Sequence, residues 1–144
     1  MKVFPQNGRK YFVGLISELE PNQVFVFGSN TSGRHGFGAA KVALERFGAK
    51  YGQAEGLQGQ SYAIVTKNLK MGIRSISFED LQDHIDVFLE FASENPDLEF
   101  FVTEIGCRLA GYRVKEITKM FKKREIPKNV IFNKNFHELI FEEE

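Results

Sequence analysis

Between Gly28 and Gly38 the chain reads G-S-N-T-S-G-R-H-G-F-G, residue types suited to holding an anion. Glycines at 28, 33, 36 and 38 let main-chain N–H groups approach a guest closely, and a helix starting behind them adds free amides and a positive dipole end. Phosphate is the commonest such guest. Arg34 is read as a bidentate phosphate clamp in preference to a solvated surface charge. His35 is either a phosphate donor or general acid, or an exposed loop histidine. Ser29, Asn30 and Phe37 complete the candidate set on this loop, with Gly33, Gly36 and Gly38. A second glycine loop, Gly106-Cys107-Arg108-Leu109-Ala110-Gly111, offers Gly106, Cys107, Arg108 and Gly111. Cys107 is expected to be a packed thiol, because no histidine is placed by sequence to activate it.

Two standard phosphate loops are excluded by residue type. Gly28 and Gly33 have the four-residue gap of a P-loop, but Arg34-His35 stands where Lys and Ser/Thr are needed. Gly33, Gly36 and Gly38 are spaced G-x-x-G-x-G, the reverse of the dinucleotide fingerprint, and no acidic residue closes a matching strand about twenty positions on. His84, beside Asp80 and Asp83, and His137, near the end of the chain, are expected at the surface. Three scattered histidines make no metal site, and no cofactor is implied.

These loops need elements to position them. Val24–Phe27 reads as a strand buried on both faces, ending at Gly28. From Gly38, Ala39, Ala40, Ala43, Leu44 and Phe47 recur at helical spacing until Gly48. Ser61–Thr66 is a second buried strand. Ser77 followed by Asp80 signals a helix start, and Leu81, Ile85, Phe88, Leu89 and Ala92 share one face until Asn95-Pro96. Leu98–Ile105 is a third strand running into the second glycine loop. Val114, Ile117, Met120 and Phe121 mark a helix with Lys122-Lys123-Arg124 in its last turn, ended by Pro127. Val130–Phe132 is a fourth strand, and Asn135–Phe141 a short helix. Residues 1–20 are expected to be an irregular lead-in, with Tyr11–Leu19 open between strand and helical turn, and Glu142–Glu144 to fray. The alternation predicts a three-layer α/β/α domain with a mostly parallel or mixed sheet. Both glycine loops then open on one sheet edge, where α/β proteins bind ligands.

The length of 144 residues suits a single domain, 1–144. Nineteen basic and nineteen acidic residues cancel, so the broad cationic field of a nucleic-acid binder is absent. A single cysteine excludes an internal disulfide and a cysteine zinc cluster and fits a reducing cytoplasm. Met1–Arg9 lacks the apolar core of a signal peptide, and no apolar run approaches the roughly 20 residues of a membrane span. A cytoplasmic protein is expected, in which the Asn30-Thr31-Ser32 glycosylation pattern is idle. Fifteen phenylalanines and no tryptophan predict a core packed with phenyl rings.

The order of these features resembles the macro domains, the ADP-ribose-binding modules. The resemblance runs from about Val24 to Phe132. It rests on Asn30 at a strand end, G-R-H-G-F-G-A-A opening an Ala-rich helix, then S-Y-A-I-V-T and T-E-I-G-C-R-L-A-G-Y. The pattern G-S-N-x-x-G-R-H-G-x-G-A-A with G-L-x-G-x-S-Y-A-I is similar to a group of small uncharacterised bacterial and phage proteins of macro-like type. The resemblance implies that Asn30, Gly36, Gly38, Gly106 and Gly111 bind the distal ribose and diphosphate of an ADP-ribose-like nucleotide. The chain departs from the macro-domain pattern at two points: it has no clear counterpart of the early Asp that reads the adenine amine in that family, and Phe37 stands amid the glycines of the first loop. Hydrolases that release ADP-ribose use a carboxylate, and that likeness nominates Glu55 or Glu104, each of which also reads as an ordinary loop glutamate, with Glu104 within pairing reach of Arg108. The alternative function is an accessory protein that binds a protein partner, its glycine loops purely structural.

Overall fold

The structure is a computed structural model that describes residues 1–69, 75–107 and 110–142. In chain order the elements are β1 (Lys2–Gln6), β2 (Arg9–Val13), β3 (Gln23–Asn30), α1 (Gly38–Arg46), β4 (Gly56–Gln58), β5 (Ser61–Lys67), α2 (Phe78–Glu94), β6 (Glu99–Val102), α3 (Val114–Phe121), β7 (Val130–Asn133) and α4 (Lys134–His137). A π-helical turn, Glu138–Glu142, follows. The strands form one mixed sheet in the order β1-β2-β7-β6-β3-β5-β4. The five inner strands are parallel, and β1 and β4 are antiparallel edges.

Strand alternation divides the core in two. Val24, Val26, Tyr62, Ile64, Phe100, Val102, Val130 and Phe132 face α2 and α3, meeting Leu81, Ile85, Phe88, Ile117 and Phe121. Phe25, Phe27, Ala63, Phe101 and Ile131 face the other way, onto Ala40, Ala43 and Phe47 at α1. Helices therefore cover both faces of the sheet. The expected phenyl packing is present: Phe88 meets Phe100 edge-on at 5.5 Å and Phe25 stacks on Phe47 at 4.8 Å. Ser77 caps α2, its Oγ accepting from the Asp80 N–H at 3.0 Å. Among the described residues, no helix is long and apolar enough to cross a membrane.

Four elements depart from the sequence reading. Residues 2–13 are a hairpin, whose turn at Asn7 (φ 50) and Gly8 (φ 80) has the left-handed pair of dihedrals that a two-residue Asn-Gly loop demands. The third strand stops at Val102 instead of Ile105: the Thr103 N–H and hydroxyl both donate to the Val26 carbonyl, at 3.1 and 2.8 Å, and Ile105 N–H turns back to the Thr103 carbonyl at 2.7 Å. The glycine-rich stretch after residue 52 contains a short edge strand, β4, paired with β5. Finally, α3 ends at Phe121, so Lys122-Lys123-Arg124 follow its last turn.

Candidate functional site

The order of the sheet reverses at β3. From β3 the chain moves to β5 on one side, then returns to β6 on the other. In open α/β sheets such a reversal is where ligands bind, at the carboxyl ends of the strands. Because β6 leaves the sheet at Val102, paired with Val26, the last residues of β3 run on past it. The two glycine loops meet here. A Cβ placed on Gly28 would lie 3.1 Å from Thr66 Oγ1 and 3.3 Å from the Gly106 nitrogen, so glycine permits the close approach of these chains. Gly106 has φ +75, and a Cβ there would be 3.0 Å from the Tyr112 ring. Its carbonyl accepts from the Tyr112 N–H at 2.8 Å.

Asn30 shapes the first loop. Its Oδ1 accepts from the N–H groups of Ser32 and Arg34, both at 3.1 Å, and its Nδ2 donates to the Arg34 carbonyl at 2.7 Å. Ser29 is buried, and its hydroxyl turns to the Asn30 carbonyl at 3.4 Å. Gly33 is held at φ +66 against the Gly52-Gln53 backbone, where a Cβ would come within 2.5 Å of Gly52. Those two residues therefore build the loop more than they line it. Of the nominated residues on this loop, Arg34, Gly36, Phe37 and Gly38 are exposed, with Phe37 76% accessible. Phe37 is also the N-cap of α1 and has no side-chain acceptor to offer, so the first amides of that helix lack a side-chain cap. Since α1 runs back along parallel strands, that start lies at the carboxyl edge of the sheet.

His35 is a correction. Instead of an exposed loop residue it is fully buried, edge-on to Phe27 at 5.1 Å, with Nε2 3.1 Å from Gln58 Oε1. Gln58 Nε2 donates to the Gln53 and Gly56 carbonyls and Oε1 accepts from the Lys50 N–H, so Oε1 is an acceptor and His35 Nε2 must carry the proton. His35 Nδ1 is buried without a partner among the described residues. The imidazole thus ties the first loop to β4 from beneath.

Of the other two histidines, His84 keeps a partly exposed place as expected, and His137 does not. His84 is partly buried on α2 and hydrogen-bonds Glu55 through Nδ1. His137 is buried between the rings of Tyr11 and Phe141, at 5.0 and 4.9 Å, and its Nε2 meets Gln6 Oε1 at 2.6 Å. Burial, and secondarily the Arg9 charge, hold its pKa below the ordinary histidine range against the opposing pull of Glu142 and Glu138.

The two nominated carboxylates are separated by this arrangement. Glu55 precedes edge strand β4 and is committed to His84. Glu104 follows β6, two residues before Gly106, and its Oε2 accepts from the side-chain amides of Asn133 and Asn135, the latter at 3.2 Å. Asn133 in turn caps α4, accepting from Phe136 N–H at 3.0 Å. Burial, then the charges of Glu104 and Glu116, push the Cys107 thiol up to about 12, and its Sγ points to the Ile105 carbonyl at 3.4 Å. It is inert at neutral pH. Gly111 is exposed beyond it, and Arg108 lies outside the described residues. Thr66, Thr103, Asn133 and Asn135 were not nominated from sequence, because lone polar residues at strand ends carry no periodic or glycine signal.

A mixed sheet layered by helices, with its strand order reversed at β3, is a macro domain-like fold. Two solved structures share it: a macrodomain protein from Streptomyces coelicolor (TM-score 0.54, 12% identity, 82% of this chain and 91% of that one) and Thermosipho africanus DarTG in complex with ADP-ribose (TM-score 0.53, 15% identity, 78% of this chain). The match spans 37% of the DarTG chain. No protein-family model matches the chain, and no curated protein matches it by sequence.

Proposed function

We propose that the protein binds an ADP-ribose-type nucleotide diphosphate in the crevice between the Gly28–Gly38 loop and the loop that begins at Gly106. The observation that carries this reading is the backbone approach of Gly28 to Gly106 at a switch point, beside a helix start with no side-chain cap. Arg34 supplies the mobile charge, and the exposed Phe37 ring an apolar face for a sugar or base. The ADP-ribose in the DarTG structure supports the ligand class for a fold of this kind.

We assign slow turnover of an ADP-ribosyl bond, as the secondary activity of this site, to Glu104. His35 is sealed beneath the loop and Glu55 is paired with His84, whereas Glu104 stands at the carboxyl edge. Its test is release of ADP-ribose from a modified peptide, which should fall to background in Glu104→Gln; equal release by both proteins removes Glu104 from the role.

Binding itself is tested by titrating ADP-ribose into wild type and Gly36→Val. A Cβ on Gly36 meets nothing within 4 Å, so the variant should fold while its side chain blocks backbone approach to a phosphate. Loss of binding with an unchanged melting temperature is expected. Equal affinity in the two proteins would move the ligand elsewhere.

A further inference from the structure

The formal net charge of zero conceals two lines of opposite sign on one face of the molecule. On α2, Glu79, Asp83, Asp86, Glu90 and Glu94 follow one another at steps of three or four residues, which sets them in one line along the helix. All are exposed except Asp86, which is half-buried. Lys115, Lys119 and Lys122 repeat that spacing along α3 and its C-cap, and Lys123, Arg124 and Lys128 carry the positive charge on beyond the helix; all six are exposed. Each line lies opposite the face its helix buries, Leu81, Ile85 and Phe88 on α2 and Ile117, Met120 and Phe121 on α3.

Two hydrogen bonds set these helices side by side. Gln82 Nε2 donates to the Met120 carbonyl at 2.8 Å and Arg124 donates to the Asp86 carbonyl at 3.1 Å, each bond joining residues 38 apart. The helices are therefore parallel, and their charged lines run level: Asp83 with residues 119–122, Asp86 with Arg124. Packed helices lie about 8 to 10 Å apart, and these lines point away from the sheet instead of towards each other. Among the described residues no ion pair joins them, the two that occur being Lys10 with Glu99 and His84 with Glu55. Like charges three and four residues apart repel, so each helix carries a cost that a surface of opposite sign removes. A nucleic acid or anionic membrane laid over α3 would also meet the carboxylates of α2.

We propose that this face pairs with a second copy of the chain, α2 of each protomer lying over α3 of the other. A two-fold axis between the helices and parallel to them keeps the helices of both copies in the same direction and at the same level, so each acidic line faces a basic one. The face is thus complementary to itself in sign, direction and level. With 17 residues α2 is ~25 Å long, and two helices abreast are ~20 Å across, so about 500 Å² of each protomer is covered. That lies near the lower limit of a specific interface, and contacts made mostly by exposed ion pairs give a weak, salt-sensitive dimer. The pairing involves α2 and α3 and does not depend on the ligand proposed for the crevice.

The test is sedimentation equilibrium of the whole chain, as wild type and in two charge-reversed forms. At up to ~1 mM protein and ~50 mM salt the wild-type mass should rise from 16.5 kDa towards twice that value, and it should return to the monomer near ~0.5 M salt. One variant combines Lys115→Glu, Lys119→Glu and Lys122→Glu; the other combines Glu79→Lys, Asp83→Lys and Glu90→Lys. Circular dichroism confirms folding, and a triple variant that does not fold is replaced by its double form without the change at 115 or 79. Each variant alone should stay monomeric at low salt. Their equimolar mixture should regain the dimer, because the native acidic line of the first meets the native basic line of the second and the two reversed lines meet each other. A wild type that is monomeric at both salts, a dimer that persists in the separate variants, or a mixture that does not associate overturns the pairing. Retention of a labelled DNA duplex by monomeric wild type, lost when the α3 line is reversed, overturns it in favour of a nucleic-acid surface.

Discussion

The Arg34 side chain is exposed and forms no hydrogen bond or ion pair among the described residues, while its backbone is pinned by Asn30. Arg34→Ala should therefore weaken ADP-ribose binding by about 1.5 to 3 kcal/mol, the scale of a charge-assisted hydrogen bond, with the unliganded melting temperature unmoved. Unaltered affinity in a titration would return Arg34 to the solvated surface. Gly33 is the opposite kind of residue. Its positive φ and a Cβ distance of 2.5 Å to backbone leave no room for a side chain, so Gly33→Ala should lose about 2 to 4 kcal/mol in denaturant unfolding. His137 gives the pH dependence. Its folded pKa is depressed, so the unfolded chain takes up the proton first; this contribution is complete above the unfolded value, about 6.5, and is lost as pH falls from there towards the folded value. Substituting His137 by Gln should flatten the melting temperature between about pH 7 and pH 5 relative to wild type; an equally steep decline in both would exclude His137 as the source.

Asn129 shows how a single side chain joins elements. Its Nδ2 lies 2.9 to 3.0 Å from the carbonyls of Ala92, Asn95 and Leu98, linking the end of α2, the following turn and the entry to β6. Asn129→Ala leaves those carbonyls short of a donor and should cost about 1 to 3 kcal/mol by chemical denaturation, without changing ligand affinity. The strands and helices with continuous apolar runs or a full helical stripe were legible because burial dictates their pattern: β5, α1, α2 and β7 fall where Ser61–Thr66, Gly38–Phe47, Ser77–Asn95 and Val130–Phe132 suggested, whereas β3 begins as Val24–Phe27 suggested but runs past the expected stop at Gly28 to Asn30, still paired with β5. The β1–β2 hairpin was hidden because an edge ribbon buries little. Residues 2–5 are all exposed, so no alternation marks them, and Pro5 and Gly8 look like loop. The Asn7-Gly8 pair was the signal that could have revealed it. The early end of β6 is likewise invisible to periodicity, being set by a Thr103 hydroxyl reaching the neighbouring strand.

The site belongs to the molecule as a whole. Glycines 28 and 106 are far apart in the chain and become neighbours because β6 inserts beside β3 after β5 has taken the other side. Glycine loops in the sequence pointed to that edge, but not to the role of each residue: His35 lies beneath the loop, Glu55 is spoken for by His84, and Glu104 is held by asparagines from β7 and α4 that sequence spacing could not connect to it. The central claim is that the crevice holds a nucleotide through its diphosphate and sugar. The most direct measurement is the thermal unfolding of the wild-type chain with ADP-ribose and with adenosine. At about a hundred times the dissociation constant ADP-ribose should add ~2.7 kcal/mol, a rise of several degrees at on the order of 3 °C per kcal/mol, while adenosine gives none. Equal shifts from the two ligands would contradict recognition through the phosphates. No shift with ADP-ribose at millimolar concentration would leave a macro domain-like fold whose glycine loops are structural and whose function lies in binding a protein partner.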